Sequence, residues 1–415
     1  MGVTRDFGGL GRLAFVAAIG WLLVAAGIGL LLRAAPFLPG ALLEYGHLLH
    51  AHSHVAFLGW VFSAFFGLGL RGFVPAAEWR GYSRLFFWGQ ASTLAMAVAF
   101  PLQGYARESI IASSVHLCVA LRFVWRLWRG APAGGAGRVY LGLSFLFLAL
   151  SALGPLALGP LAAAGLRGSP WYTFSIYVYL HFHYNGFFVF FLVALLLSLR
   201  GLDPALPRGA ARAAPWLASG TVLTLAQSAL WLQPPAWVWA LAALGGAFLT
   251  VGTVRLLARL ARSGLAGERR ISTGLLGLAG VCLLLKVGLQ CAAAWPALQD
   301  LVSHRWVAVA FLHLVFLGVV TPALWVLGER AGWLTWHGMA RAGLVVFLSG
   351  AVTTQLVLAT VPLSARLGLP SLPTPAALLL AGSVVLFLGL VAVASGVRRR
   401  GLLNRSNPAG SAPRR

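Results

Sequence analysis

The chain has 415 residues, 60% of them hydrophobic and only 9% charged, with a mean hydropathy of +0.86 and a net charge of +23. Ordinary soluble domains carry roughly 25% charged residues, so the composition excludes that class and points to an all-α, polytopic membrane protein. The basic excess follows membrane topology, so it excludes nucleic acid as the expected partner.

Taken in chain order, twelve apolar stretches are long enough to span a bilayer. They are 13–33, 46–70, 84–104, 109–128, 139–164, 173–199, 215–233, 237–260, 272–294, 305–328, 341–362 and 375–397. No small-residue cleavage site follows the first, which is therefore expected to remain as a span. Of the 31 Lys and Arg, five (Arg33, Arg107, Arg167, Arg305 and Arg366) fall in odd-numbered loops, and Lys286 falls inside the ninth stretch. The other 25 lie at the N-terminus, in the even-numbered loops and at the C-terminus. Under the positive-inside rule both termini are cytoplasmic, as in a multi-pass protein of a bacterial inner membrane. One missed span would scramble this split, so the charges support the count of twelve. Residues 1–397 read as one domain. The tail 398–415, "RRRGLLNRSNPAGSAPRR", is basic and rich in turn formers, and is expected to be a disordered cytoplasmic end. The three cysteines, Cys118, Cys282 and Cys291, form no CxxCH pattern, which excludes covalent c-type haem on that motif.

Chemistry concentrates in the second stretch, which contains "EYGHLLHAHSHVAFLGW" (Glu44–Trp60), with His47, His50, His52 and His54. His47, His50 and His54 share one helical stripe, and His52 points to the opposite side. His54 is eight residues past the start of its stretch. So are His181 and His313 in stretches 6 and 10, and His116 is seven past the start of stretch 4. At 1.5 Å per residue these four imidazoles share a layer about 12 Å below the outer surface. The motif also repeats. "HVAFLG" (His54–Gly59), "HFHYNG" (His181–Gly186) and "HLVFLG" (His313–Gly318) each place Gly five residues after His, and the histidines are 127 and 132 residues apart. Four stretches separate each copy from the next, so the chain reads as a pseudo-threefold bundle of four-helix units. His116 lies outside this set because Leu121 stands where the glycine should be.

Neutral imidazole suits haem iron, copper and zinc, and haem needs only one axial histidine per helix. The eight Asp and Glu fall at span ends or in loops, which argues against a hard-cation site and against a carboxylate proton relay. Each histidine also has a plain reading. His116 serves equally as a helix–helix hydrogen-bond partner, and His47 and His50 as interfacial groups. His304 and His337 lie in loops. Tyr184, Asn185, Gln290 and Gln355 read as polar glue or as support for a ligand. Lys286 reads either as a snorkelling cation or as part of a proton path.

Twelve spans in a pseudo-threefold arrangement, with histidines on stretches 2, 6 and 10, resemble subunit I of the haem-copper oxidase superfamily. "HSHVAFLGW" (His52–Trp60) is similar to a haem-ligand segment of its C-family and "HFHYNGFF" (His181–Phe188) to one of its A-family. The resemblance implies b-type haem held by His54 and His313, with His52 and His183 as further cofactor candidates. It places His181 or His183 where the first copper ligand stands, and leaves His47, His50 and His116 as further metal candidates. It implies an oxygen or nitric oxide reductase type of oxidoreductase, with a small gas ligand, an electron donor and additional membrane or cytochrome subunits. The departures are specific. Stretch 7 has no histidine for a copper pair, stretch 10 has Phe311 and Val315 flanking a single His313, and Asn185 and Phe187 stand where an active-site tyrosine is expected. The element "HAHSH" also resembles the NnrS-type haem-copper proteins linked to nitric oxide stress, which implies binding without turnover. With no acidic path from the inside, proton pumping is not expected, and the shorter proton route runs from outside past Glu44 and His47. A histidine-lined metal-ion or metabolite transporter is the reading from another class.

Overall fold

The computed structural model describes residues 9–38, 44–199, 206–263 and 269–397; the 398–415 tail lies outside the described residues. Helices account for almost all of it. Among the described residues there is no strand, only an isolated bridge between Leu334 and Val397. Eleven helices are long and apolar enough to cross a membrane: α1 (Leu10–Phe37), α2 (Tyr45–Phe73), α3 (Ala76–Gln103), α4 (Arg107–Gly130), α5 (Ala136–Ala163), α6 (Pro170–Leu197), α8 (Ala236–Ala261), α9 (Arg270–Ala293), α10 (Arg305–Arg330), α11 (Gly338–Leu367) and α12 (Pro375–Ala394). The protein is thus a multi-pass membrane protein whose surroundings are a lipid bilayer.

The remaining helix, α7, differs from the expected 215–233. It is an α-helix over Leu206–Leu223 that tightens to a 3-10 segment over Thr224–Leu232. The alanine-rich run before Pro215 is good helix former, so the helix starts before the apolar stretch does. Its second half carries Gln227, two serines and two threonines, and α7 is not among the helices apolar enough to cross a membrane.

Burial separates the helices into two classes. In α2, α6 and α10, 83, 78 and 50% of the apolar window is buried by neighbours, against 28–39% in the other eight. Helices apolar all round belong in the interior, and those exposing Leu, Val and Trp outward belong against lipid. The three inner helices meet through aromatic rings. Phe57 of α2 stacks on Phe316 of α10 at 4.5 Å, and Phe188 of α6 stands edge-on to both, at 6.0 and 5.7 Å.

The inner helices share an irregularity that hydropathy does not reveal. Each contains a π-helical segment: Val55–Val61, His181–Phe188 and Leu314–Val320. These begin just after His54, at His181, and just after His313. The glycine of each repeat lies within its segment and lets a neighbouring helix approach closely. A Cβ on Gly59 would meet Trp21 of α1 at 3.0 Å, one on Gly186 would meet Phe147 of α5 at 2.5 Å, and one on Gly318 would meet Cys282 of α9 at 2.7 Å. The neighbours α1, α5 and α9 are four helices apart, the interval seen in the sequence motif. π-bulges are rare and concentrate at functional sites, so three at matched positions direct attention to the histidines beside them.

Candidate functional site: histidines on either side of α2

The two diverging histidines of α2 face different neighbours. His52 turns toward α1 and α10. Its Nδ1–H donates to the carbonyl of Ala25 at 2.8 Å, and its ring centre lies 6.4 Å from that of His313, with the ring planes 26° apart. The missing side chain of Gly29 makes room for it, since a Cβ there would meet His52 Cε1 at 2.9 Å. His313 donates its Nδ1–H to the Val309 carbonyl at 2.8 Å, one turn back in α10. Both rings are thus fixed through Nδ1, and no partner holds Nε2 among the described residues. Metal-bound histidines are oriented in this way, the backbone carbonyl fixing both tautomer and ring direction. The resemblance pairs His54 with His313 as haem ligands, and the ring nearest His313 in the fold is that of His52. It is His52 that lies opposite His313, because α10 lies on the His52 side of α2.

One guanidinium stands near this pair and a second near the first. Arg33, near the end of α1, is half-buried and within electrostatic reach of His52, His313 and Arg305. Arg305 at the start of α10 stacks on the Tyr45 ring at 5.2 Å. Neither arginine has a carboxylate partner among the described residues. Glu44, the acidic group closest in sequence, pairs with His47 at 3.2 Å.

His54 faces the other side, toward α3, α4 and α6. Its Nδ1–H donates to the His50 carbonyl at 2.8 Å, which leaves Nε2 to accept from the Tyr105 hydroxyl at 3.3 Å. A phenol of ordinary acidity is neutral at physiological pH, so Tyr105 is the donor. His50 packs against the same Tyr105 at 4.6 Å. His116 is fully buried, and the Ser92 hydroxyl lies 3.0 Å from its Nδ1. That hydroxyl donates to the Gly89 carbonyl, so it accepts the Nδ1–H of His116. His183, 1% exposed, is held in the same way by Ser151 at 3.3 Å, with Ser151 donating to the Leu148 carbonyl. The Nε2 atoms of His116 and His183 are both buried without a partner. In an apolar interior a bare nitrogen of this kind is costly, and it is characteristic of a ligand position. His54, His116 and His183 lie within electrostatic reach of one another. Phe57, Phe62, Phe100 and Phe188 wall them in. Their present spacing is too wide for one ion: among the described residues no three His, Cys, Asp or Glu stand close enough to grip a metal together. His116, which the sequence repeat left aside, therefore joins His54 in space.

His181 belongs to neither group. Its Nε2–H donates to the Thr221 carbonyl of α7 at 2.7 Å, and its Nδ1 accepts from Asn185 Nδ2 at 3.2 Å. Both nitrogens are occupied, so His181 ties α6 to α7 and has no lone pair to offer. Lys286 of α9 is 3% exposed, lies within electrostatic reach of His181 and forms no ion pair among the described residues. Tyr184 packs against Phe311 of α10 at 6.1 Å. His304 caps the start of α10 through the Trp306 amide, and His337 donates to the Ser395 carbonyl, both in exposed positions. Sequence reading missed the residues that fix the rings, namely Gly29, Ser92, Ser151 and Tyr105. The serines carried a weak signal, as hydroxyls inside apolar helices; Gly29 carried none.

No family model and no curated protein matches the chain.

Proposed function

We propose that the protein is a b-type haem-binding redox protein of the bacterial cytoplasmic membrane, with twelve spans in a pseudo-threefold bundle and both termini inside. The observation that carries this reading is the His52–His313 pair: two imidazoles from different helices, each fixed through Nδ1, each with Nε2 free. Two metal–nitrogen bonds of about 2 Å, added to the half-widths of two rings, put the ring centres about 6 Å apart, close to the spacing here. The residues therefore fit a haem iron held between α2 and α10. Arg33 and Arg305 fit its two carboxylates. Haem supplies reversible one-electron chemistry at iron, while the chain sets ligand orientation, excludes water and tunes the potential.

On the other side of α2, the same reading assigns a copper ion or a second ligand to His116 and His183, whose Nε2 atoms are bare, with His54 joining them once its Nε2 is released from the Tyr105 hydroxyl. Three neutral imidazoles without a carboxylate suit copper, and the rings would have to swing inward to bind it. The reaction class that follows is transfer of electrons to a small gas such as oxygen or nitric oxide, with the donor or partner subunit outside the chain. A second reading, a nitric oxide-responsive binder of the NnrS type without turnover, is favoured by α7, which has no histidine for the copper pair of the oxidases.

The test is purification from cells supplied with haem, followed by optical spectra and a pyridine haemochrome assay. We expect one or more b-type haems per chain, with a Soret band that shifts on reduction and is lost from His52→Ala and His313→Ala. A colourless protein from haem-replete cells overturns the proposal and leaves the transporter reading in its place. Consumption of oxygen or nitric oxide by reduced protein separates the enzyme from the binder.

A further inference from the structure

The end of the bundle away from the histidine layer carries a separate feature. A cavity of about 850 Å³ opens where the start of α9, the end of α10 and the start of α11 come together. Arg269, Arg270 and Arg341 line it, along with Glu329, Thr335 and Trp336. The single acid is already engaged: Glu329 accepts from Arg269 at 3.2 Å and from the Ser272 hydroxyl. Arg270 and Arg341, both exposed, have no hydrogen-bond or ion-pair partner among the described residues. The cavity thus presents two uncommitted guanidiniums, whose planar forks match phosphate oxygens better than a halide.

What continues from the cavity identifies the source of the phosphate. Arg270, Gly274, Gly277 and Val281 recur at helical spacing and form one stripe down α9. Side chains built at Gly274 or Gly277 would meet nothing within 4 Å, and Val281 is 64% exposed. Arg270, which lines the cavity, therefore heads an open, apolar, side-chain-poor stripe along the membrane-facing surface of α9. A free phosphate would use only the first part. A phospholipid would use both, with its headgroup on the arginines and an acyl chain along the glycines.

We infer that this cavity and the exposed stripe below it form a binding site for one anionic phospholipid, held at its phosphate by Arg270 and Arg341. The site is independent of the haem reading. It would fix an anionic lipid against α9 and α10 at the basic end of the bundle.

The experiment is native mass spectrometry of the full chain in detergent, titrated with cardiolipin, with phosphatidylcholine as the control and with inorganic phosphate as competitor. Wild type should retain one cardiolipin in preference to phosphatidylcholine. The exposed pair Arg270→Gln/Arg341→Gln should weaken that retention about tenfold or more, two arginines each contributing near the surface. Gly277→Leu, which extends into open space and spares the fold, should weaken cardiolipin retention without changing the response to phosphate. Equal retention by wild type and the arginine pair overturns the inference. So does full competition by inorganic phosphate together with no effect of Gly277→Leu, which would mark a site for a free anion.

Discussion

The two His-x-His elements of the chain, His52/His54 in α2 and His181/His183 in α6, look alike in sequence and differ in their hydrogen bonds. In α2 both rings are fixed through Nδ1 to backbone carbonyls, one facing α10 and the other facing α4 and α6. In α6 only His183 keeps a bare nitrogen, while His181 spends both on Thr221 and Asn185. A histidine pair inside a membrane helix therefore does not define a site by its spacing. The free lone pair does, and it depends on which carbonyl or hydroxyl the other nitrogen finds.

The sharpest way to break this comparison is to exchange roles. His52→Ala or His313→Ala should abolish haem binding, a loss of more than about a hundredfold and so beyond the usual effect of removing a supporting group. His181→Ala should leave haem content unchanged and instead cost about 1–3 kcal/mol of stability, the penalty of leaving the Thr221 carbonyl and Asn185 unpaired. Haem stoichiometry beside a thermal-unfolding series checks both, and loss of haem in His181→Ala with the fold intact would refute the distinction. Next in size is Gly29→Ala. Its Cβ would meet the His52 ring at 2.9 Å, so the ring must move, and haem affinity should drop about tenfold. Isothermal reconstitution of the haem-free protein measures it; wild-type affinity would show that the ring is not positioned by α1. On the other side of α2, Ser151→Ala should release the His183 ring and weaken any bound copper, by about tenfold at most, while leaving the His52–His313 haem spectrum alone. Metal analysis by mass spectrometry reads the first effect and optical spectra the second. The smallest effect belongs to Tyr105→Phe. It removes one neutral hydrogen bond to His54, worth about 1 kcal/mol, and should alter the haem spectrum little.

Much of this architecture was legible in the sequence. Composition and hydropathy identify the membrane class, and the three spaced histidine–glycine repeats pick out α2, α6 and α10, the most buried helices. Spacing along a helix was legible too, because rise per residue is fixed. Direction between helices was not. Counting residues grouped His54, His181 and His313 in one layer, but only the placement of α10 beside α1 shows that His52 is the one opposite His313. His116 was set aside for want of a glycine, yet packing of α4 against α3 brings it to the His54 side through Ser92. The hydrogen bonds that sort ligands from ties run to carbonyls of Ala25, His50, Thr221 and Val309, and a backbone carbonyl leaves no mark in a sequence. The broken course of α7 escaped for a related reason, since a 3-10 turn changes hydrogen bonding without changing hydropathy.

The π-helical segments have a mechanical consequence. In an α-helix, rotating one residue about the axis carries every other residue on that helix with it. A wide turn inserted between a histidine and the packing below it uncouples the two. The α-helical packing beyond the wide turns, such as Phe65 of α2 stacked on Phe191 of α6, can then stay clamped while the His54 ring is set to a different angle. Each inner helix acts as a fixed base carrying a separately adjustable mount, and the orientation of a ligand histidine can change over generations, or on binding, without repacking the centre of the bundle.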